Sequence, residues 1–189
     1  MKILGIAGSP RREGNTFVLL QKTLEGTKSK GGDTELIFIP DLKINPCREC
    51  GGCDKTGKCV VDDDMQVMYP KLQSADCIIV ASPIFFGSVT ANLKAAIDRC
   101  QCLWVKKYIL KQAVSGKPSR KGAFISVCGS KKTNFFSAAS LTIKALFKTL
   151  DVSYAAELFY PRIDEKDAIT KHTTALQEAF SLGTKLLEM

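Results

Sequence analysis

Histidine is almost missing from this chain: 189 residues contain one, His172. Any Ser-His-Asp or Cys-His chemistry would rest on that residue alone. Its place between Ile169 and Leu176, on the apolar side of a predicted last helix, marks it for the core or an interface. Apolar runs of membrane-spanning length are absent. The stretch Met1 to Gly8 lacks the long apolar region and cleavage site of a signal peptide and reads as a buried strand, so a cytoplasmic protein is expected. There is no internal repeat, low-complexity tract or linker, and residues 1–189 read as one domain. Acidic residues are outnumbered, 19 against 27 Lys and Arg, for a formal charge of +8. No basic stripe interleaved with aromatics accompanies the excess, which sets nucleic acid aside. It fits solubility, or attraction to an anionic cofactor or an acidic protein partner.

Cysteine, by contrast, is concentrated. Half of the 8 cysteines fall in one loop, Cys47, Cys50, Cys53 and Cys59, spaced C-x2-C-x2-C-x5-C. A compartment that keeps thiols reduced argues against a disulfide framework. Thiolates gathered this closely suit a soft metal or an iron–sulfur cluster. Zinc ribbons usually present two separated C-x-x-C knuckles. Here the first three cysteines step by three residues, as in ferredoxin loops, and Gly51, Gly52 and Gly57 would let backbone N–H groups turn towards cluster sulfurs. A [4Fe–4S] cluster, zinc and free thiols stay open at this point. Cys77 and Cys128 read as small buried hydrophobes, and Cys100 and Cys102 as helical residues pointing apart.

Along the chain, short apolar runs alternate with helical periodicity. Strands are expected at residues 2–8, 34–39, 77–81, 122–128 and 152–160, with helices after each and one over about 65–74 behind Asp62, Asp63 and Asp64. The β-α repeat predicts a three-layer, doubly wound, five-stranded parallel sheet. The cysteine loop, about 41–64, interrupts the unit after the second strand. Residues 106–121 hold Lys106, Lys107, Lys111, Lys117, Arg120 and Lys121 and no acid, which suits a solvated insertion, a subunit contact or a docking surface for an acidic electron carrier.

Ligands of such sheets bind beyond the carboxyl ends of the strands. Three loops there look specialised. Gly8-Ser9-Pro10-Arg11-Arg12-Glu13-Gly14-Asn15-Thr16 suits a phosphate, with backbone N–H groups, neutral donors and a helix N-terminus. It is neither a Walker A loop nor G-x-G-x-x-G. Pro83-Ile84-Phe85-Phe86-Gly87 could lie against a flat ring, and Cys128-Gly129-Ser130 could floor the same ligand.

The first two loops resemble the phosphate and isoalloxazine loops of the NADPH-dependent FMN reductase and flavodoxin-like superfamily. With the compact cysteine motif added, the chain resembles the iron–sulfur flavoproteins, over most of residues 1–100. That resemblance implies a flavodoxin-like sheet of order 2-1-3-4-5 and an electron-transfer oxidoreductase with FMN and a [4Fe–4S] cluster. It implies Cys47, Cys50, Cys53 and Cys59 as cluster ligands and Ser9, Arg11, Asn15 and Thr16 as phosphate and ribityl contacts. Pro83, Ile84, Phe85, Phe86 and Gly87 would meet the ring system; Gly129 is expected as a further contact from the position of its loop, where the chain departs from the family pattern at Cys128. The resemblance further implies oligomers, expected as a homodimer or homotetramer. The leading expectation for the electron path is a donor such as reduced ferredoxin and a small acceptor (oxygen, peroxide or a quinone), and the lack of a spanning apolar run predicts no membrane partner. The rival readings are a NAD(P)H-dependent flavin, quinone or nitro reductase with a structural zinc loop, and a non-enzymatic redox sensor.

Overall fold

The computed structural model describes residues 1–188. Its sheet has five strands in the order β2-β1-β3-β4-β5, every pairing parallel. The strands are β1 Lys2–Ala7, β2 Asp33–Phe38, β3 Cys77–Ala81, β4 Arg120–Cys128 and β5 Val152–Pro161. The helices are α1 Asn15–Ser29, α2 Met65–Ser74, α3 Ala91–Arg99, α4 Gln101–Trp104, α5 Asn134–Thr149 and α6 Ala175–Glu188. The expected fold class, strand order and loop insertion are all present.

The three central strands are apolar nearly throughout because helices cover both of their faces. Alternate side chains go to opposite layers. Leu4, Ile6, Ile78, Val80 and Phe124 pack with α2, α3 and α5 through Met65, Leu72, Leu93, Ile143 and Phe147. Ile3, Ile79, Ile125 and Val127 pack with α1 and α6 through Leu19, Leu20, Leu24, Ala179 and Leu186. The register slips between Gly122 and Ala123, where β5 carries one extra residue, Ala155.

Two expectations are corrected. The last helical pattern is broken: a 3₁₀ turn, Ala168–Lys171, ends at His172, whose ψ of 128° is extended, and α6 starts at Ala175. His172 is therefore exposed rather than buried, its ring 4.9 Å from that of Tyr160. The lysine-rich segment is also less free than its composition implies. Lys107 pairs with Asp151 and Lys117 with Asp76. Arg120 is buried at the start of β4, where it donates to the carbonyls of Leu72, Ala75 and Leu150 at the C-terminal ends of α2 and α5. A cation there offsets the partial negative charge of both helix ends.

Helices α1 and α6 cross backbone to backbone. A Cβ added at Gly183 would lie 2.0 Å from the Thr23 carbonyl oxygen, and one at Gly26 would lie 2.1 Å from that of Phe180. Gly183→Ala should accordingly destabilise the fold by about 1–3 kcal/mol through overpacking, despite alanine's better helix propensity. A urea-unfolding midpoint equal to wild type would show that the two helices separate at no cost.

Candidate functional site

Two sites emerge, one at the strand ends and one under the cysteine loop. At the strand ends, the loops after β1, β3 and β4 are laced together by buried polar groups. Gly8 N–H donates to Ala81 C=O at 2.8 Å, and Ile84 N–H to Val127 C=O at 3.0 Å. The Thr90 hydroxyl donates to Gly8 C=O at 2.5 Å and the Ser126 hydroxyl to Ser82 C=O at 2.7 Å, while Ser82 Oγ accepts from Thr90 N–H at 3.2 Å. This lacing holds three loops in register around one cleft.

The cleft is lined by Ser9, Arg11, Asn15, Thr16, Pro83, Ile84, Phe85 and Gly129, all expected from the sequence. It encloses about 90 Å³, and Phe85 at its mouth is 49% exposed. Helix α1 opens at its edge with no side-chain cap and no acid in the first turn, so its leading N–H groups remain available to an anion. Of the two arginines in the first loop, Arg12 is ion-paired with Asp41 and sits over the Phe38 ring, whereas Arg11 lines the cleft. Asn15 is partly engaged: its Nδ2 donates to Glu165 C=O at 2.8 Å and its Oδ1 accepts from Ile169 N–H at 3.2 Å.

Phe86 and Gly87 lie outside the lining. They form the tip of a two-residue turn closed by reciprocal Phe85 and Ser88 hydrogen bonds, both with positive φ, 48° and 76°. Glycine suits that conformation and phenylalanine does not. Phe86 is fully exposed. Cys128, read from the sequence as a buried hydrophobe, lines the cleft as well. The loop after β5 escaped the sequence reading altogether, yet it contributes Ile163, Asp164 and Lys166. The signal was available, because β5 ends on the same side of a parallel sheet as the other strands.

The cysteine loop is irregular and held at its base. Asp64 accepts from Lys43 N–H at 2.7 Å, and Asp63 from Asn45 N–H at 2.9 Å and Met65 N–H at 3.1 Å. Arg99, the last residue of α3, is the pin. Its Nη1 donates to Asp63 at 2.6 Å and to Asn45 C=O at 2.9 Å, and its Nη2 approaches Val61 C=O at 3.3 Å and Cys59 Sγ at 3.4 Å. The ion pair is almost wholly buried, with side chains 1% and 5% exposed. Asp63 thereby takes a carboxyl pKa of about 2: burial pushes it up, and the Arg99, Asn45 and Met65 hydrogen bonds more than reverse that.

Cys47, Cys50, Cys53 and Cys59 line one cavity of about 280 Å³ together with Arg99 and Cys102. Cys47 and Cys50 are exposed, Cys53 and Cys59 half-buried. The four share a cavity without converging on a point: among the described residues no group of three or more His, Cys, Asp or Glu side chains stands in metal-holding geometry. The donor set nevertheless fits a soft, anionic group. Burial, reinforced by Asp54, pushes the Cys53 thiol up. Burial also raises Cys59, yet the Val61 backbone, the Tyr69 hydroxyl and the Arg99 guanidinium bring it below its ordinary value. Arg99 Nε is buried with no hydrogen-bond partner, a lack that ordinarily costs about 1–3 kcal/mol. Cys77, deep in β3, is pushed by burial up to about 12 and takes no part in either site.

The family model described as NADPH-dependent FMN reductase matches residues 1–169. An iron–sulfur flavoprotein of Methanosarcina thermophila is 42% identical over 131 residues, covering 69% of this chain and 65% of that protein. One from Methanocaldococcus jannaschii is 41% identical over 116 residues, covering 61% of this chain and 60% of that protein. The chain thus spans less than two thirds of the length of these curated relatives. Among solved structures, the NAD(P)H:quinone oxidoreductase from Methanothermobacter marburgensis superposes with a TM-score of 0.75, at 15% identity, over 98% of this chain and 96% of that one. A likeness at that identity bears on the fold alone.

The Asp63 carboxylate stabilises the fold only while ionised. Its pKa is about 2 when folded and about 3.9 when unfolded. The contribution is complete above that unfolded value and is lost as pH falls through the folded one. Between pH 5 and pH 2 the metal-free protein should lose about 2 kcal/mol through this group. Asp63→Asn should lack that component of the pH dependence when urea unfolding is followed in parallel. Identical slopes would dissociate Asp63 from the acid sensitivity.

Proposed function

The chain belongs to the NADPH-dependent FMN reductase family, and on that premise we propose that it is a flavin-dependent oxidoreductase of the iron–sulfur flavoprotein type. The strand-end cleft would hold FMN and the cysteine cavity a [4Fe–4S] cluster. Electrons would enter from an acidic carrier such as reduced ferredoxin and leave to a small acceptor, oxygen, peroxide or a quinone. The observation that carries the reading is the pairing of two chemically distinct cavities on one fold, an anion-type cleft at the head of α1 and a cavity lined by four cysteines. Bound there, the two groups supply one- or two-electron exchange and one-electron exchange respectively.

The residues do the rest. The uncapped start of α1, with Ser9, Arg11, Thr16 and the remaining amide hydrogen of Asn15, binds the phosphate end. Pro83, Ile84, Phe85 and Gly129 take the ring side, with Asp164 and Lys166 beside them, and the exposed turn at Phe86 and Gly87 lies outside that lining. Cys47, Cys50, Cys53 and Cys59 are the ligand set. On the cysteine loop and beside it, Lys55 and Lys58 are exposed and Lys106 is half-buried, interspersed with the exposed acids Glu49 and Asp54; the net charge of +8 supports fast, salt-sensitive docking of an acidic carrier. A homodimer or homotetramer goes with this reading, and the fully exposed Phe86 supports it as an apolar contact. No described helix is long and apolar enough to cross a membrane.

Anaerobic purification, followed by iron, sulfide, zinc and FMN counts, an absorbance spectrum and EPR after reduction, tests the assignment. The expected outcome is FMN with iron and sulfide in equal amounts, and loss of the EPR signal with flavin retained in Cys53→Ala. Zinc without acid-labile sulfide would overturn the cluster. Absence of FMN, with none rebinding to the apo-protein, would overturn the flavin.

A further inference from the structure

A clamp alone does not account for Arg99. Pairing with Asp63 and the carbonyls of Asn45 and Val61 would close the base of the loop by itself. The guanidinium also sets an N–H against Cys59 Sγ at 3.4 Å, leaves Nε buried and unpartnered, and lines the cavity shared by the four cysteines. A group held by four thiolates becomes more negative when reduced. A fixed cation and N–H donors at its sulfurs favour the reduced form. Lysine would bring the charge without the planar fork that serves Asp63 and a thiolate together.

We propose that Arg99 is a positioning residue for the group bound by Cys47, Cys50, Cys53 and Cys59: it fixes the Cys59 sulfur, offers its free Nε–H to that group, and raises its reduction potential. The proposal rests on the reading that this cavity holds an iron–sulfur cluster. It assigns Asp63 the role of orienting the guanidinium from behind.

The test compares wild type, Arg99→Lys and the paired neutral variant Asp63→Asn/Arg99→Gln, each purified anaerobically and counted for iron, sulfide and FMN. Midpoint potentials are then read by EPR-monitored redox titration. In the paired variant the reduction equilibrium should weaken at least tenfold, a negative shift of about 59 mV for one electron, and in Arg99→Lys it should weaken in the same direction by less, with FMN content unchanged in both. The paired variant removes the danger of a buried unpaired carboxylate, so the measurement stands if Arg99→Lys fails to accumulate. Wild-type midpoints in variants that retain iron and sulfide would reduce Arg99 to a clamp and overturn the proposal. Wild type without sulfide would instead overturn the reading of the cavity.

Discussion

The buried ion pair between Asp63 and Arg99 joins two parts of the chain that nothing else ties so firmly. One partner stands just ahead of α2, at the end of the long irregular excursion after β2, and the other ends α3. Removing one member of such a pair costs about 3–5 kcal/mol, because the survivor is left charged and unsolvated. Their bond converts an open loop into the wall of a cavity, and Asp63 does double duty by accepting from Met65 N–H at the head of α2. The loop's return and the helix's start are thus set by the same carboxylate.

Helix α3 carries that constraint across the molecule. Its nine residues span about 13 Å at 1.5 Å per residue. Thr90, immediately before it, ties the first strand loop through Gly8 C=O. Arg99, its last residue, ties the cysteine loop. One rigid element therefore fixes both sites, and it does so next to the β1/β3 boundary where the strand order reverses, the usual ligand position of a doubly wound sheet. Two cavities built on separate flexible loops would vary in separation. Sharing α3 restricts that freedom, and the Arg12–Asp41 ion pair ties the first strand loop directly to the start of the cysteine loop.

The parts visible in the sequence are those written in local pattern. The apolar runs of β1, β3 and β4 announce central parallel strands, and the Asp62–Asp64 cluster announces the start of α2 at Met65. The first and third strand loops were legible because glycine, proline and small polar residues gather there. Arg99 was not, since its partner lies 36 residues earlier and its neighbours form an ordinary amphipathic helix. The loop after β5 stayed hidden because the alternating pattern of an edge strand reports its two faces and nothing about the chain beyond its end. His172 was misread for a related reason: apolar spacing continued across a break at residues 172–174, so two short elements imitated one helix. Arg120 looked like one more surface cation because the helix ends it meets come together only in the folded sheet.

The thiol cavity is graded from outside to inside, and the gradient gives it a direction. Cys47 and Cys50 are exposed, Cys53 and Cys59 are half-buried, and behind them stand Tyr69, Arg99 and the buried Cys102. The inner pair feels opposite fields: Asp54 reinforces the burial that raises Cys53, while Arg99 and Tyr69 offset the burial of Cys59. Thiolate character is therefore favoured at Cys59, where the protein's own donors are. A group bound across this gradient would present one face to solvent, at Cys47 and Cys50, and rest the other on the fold.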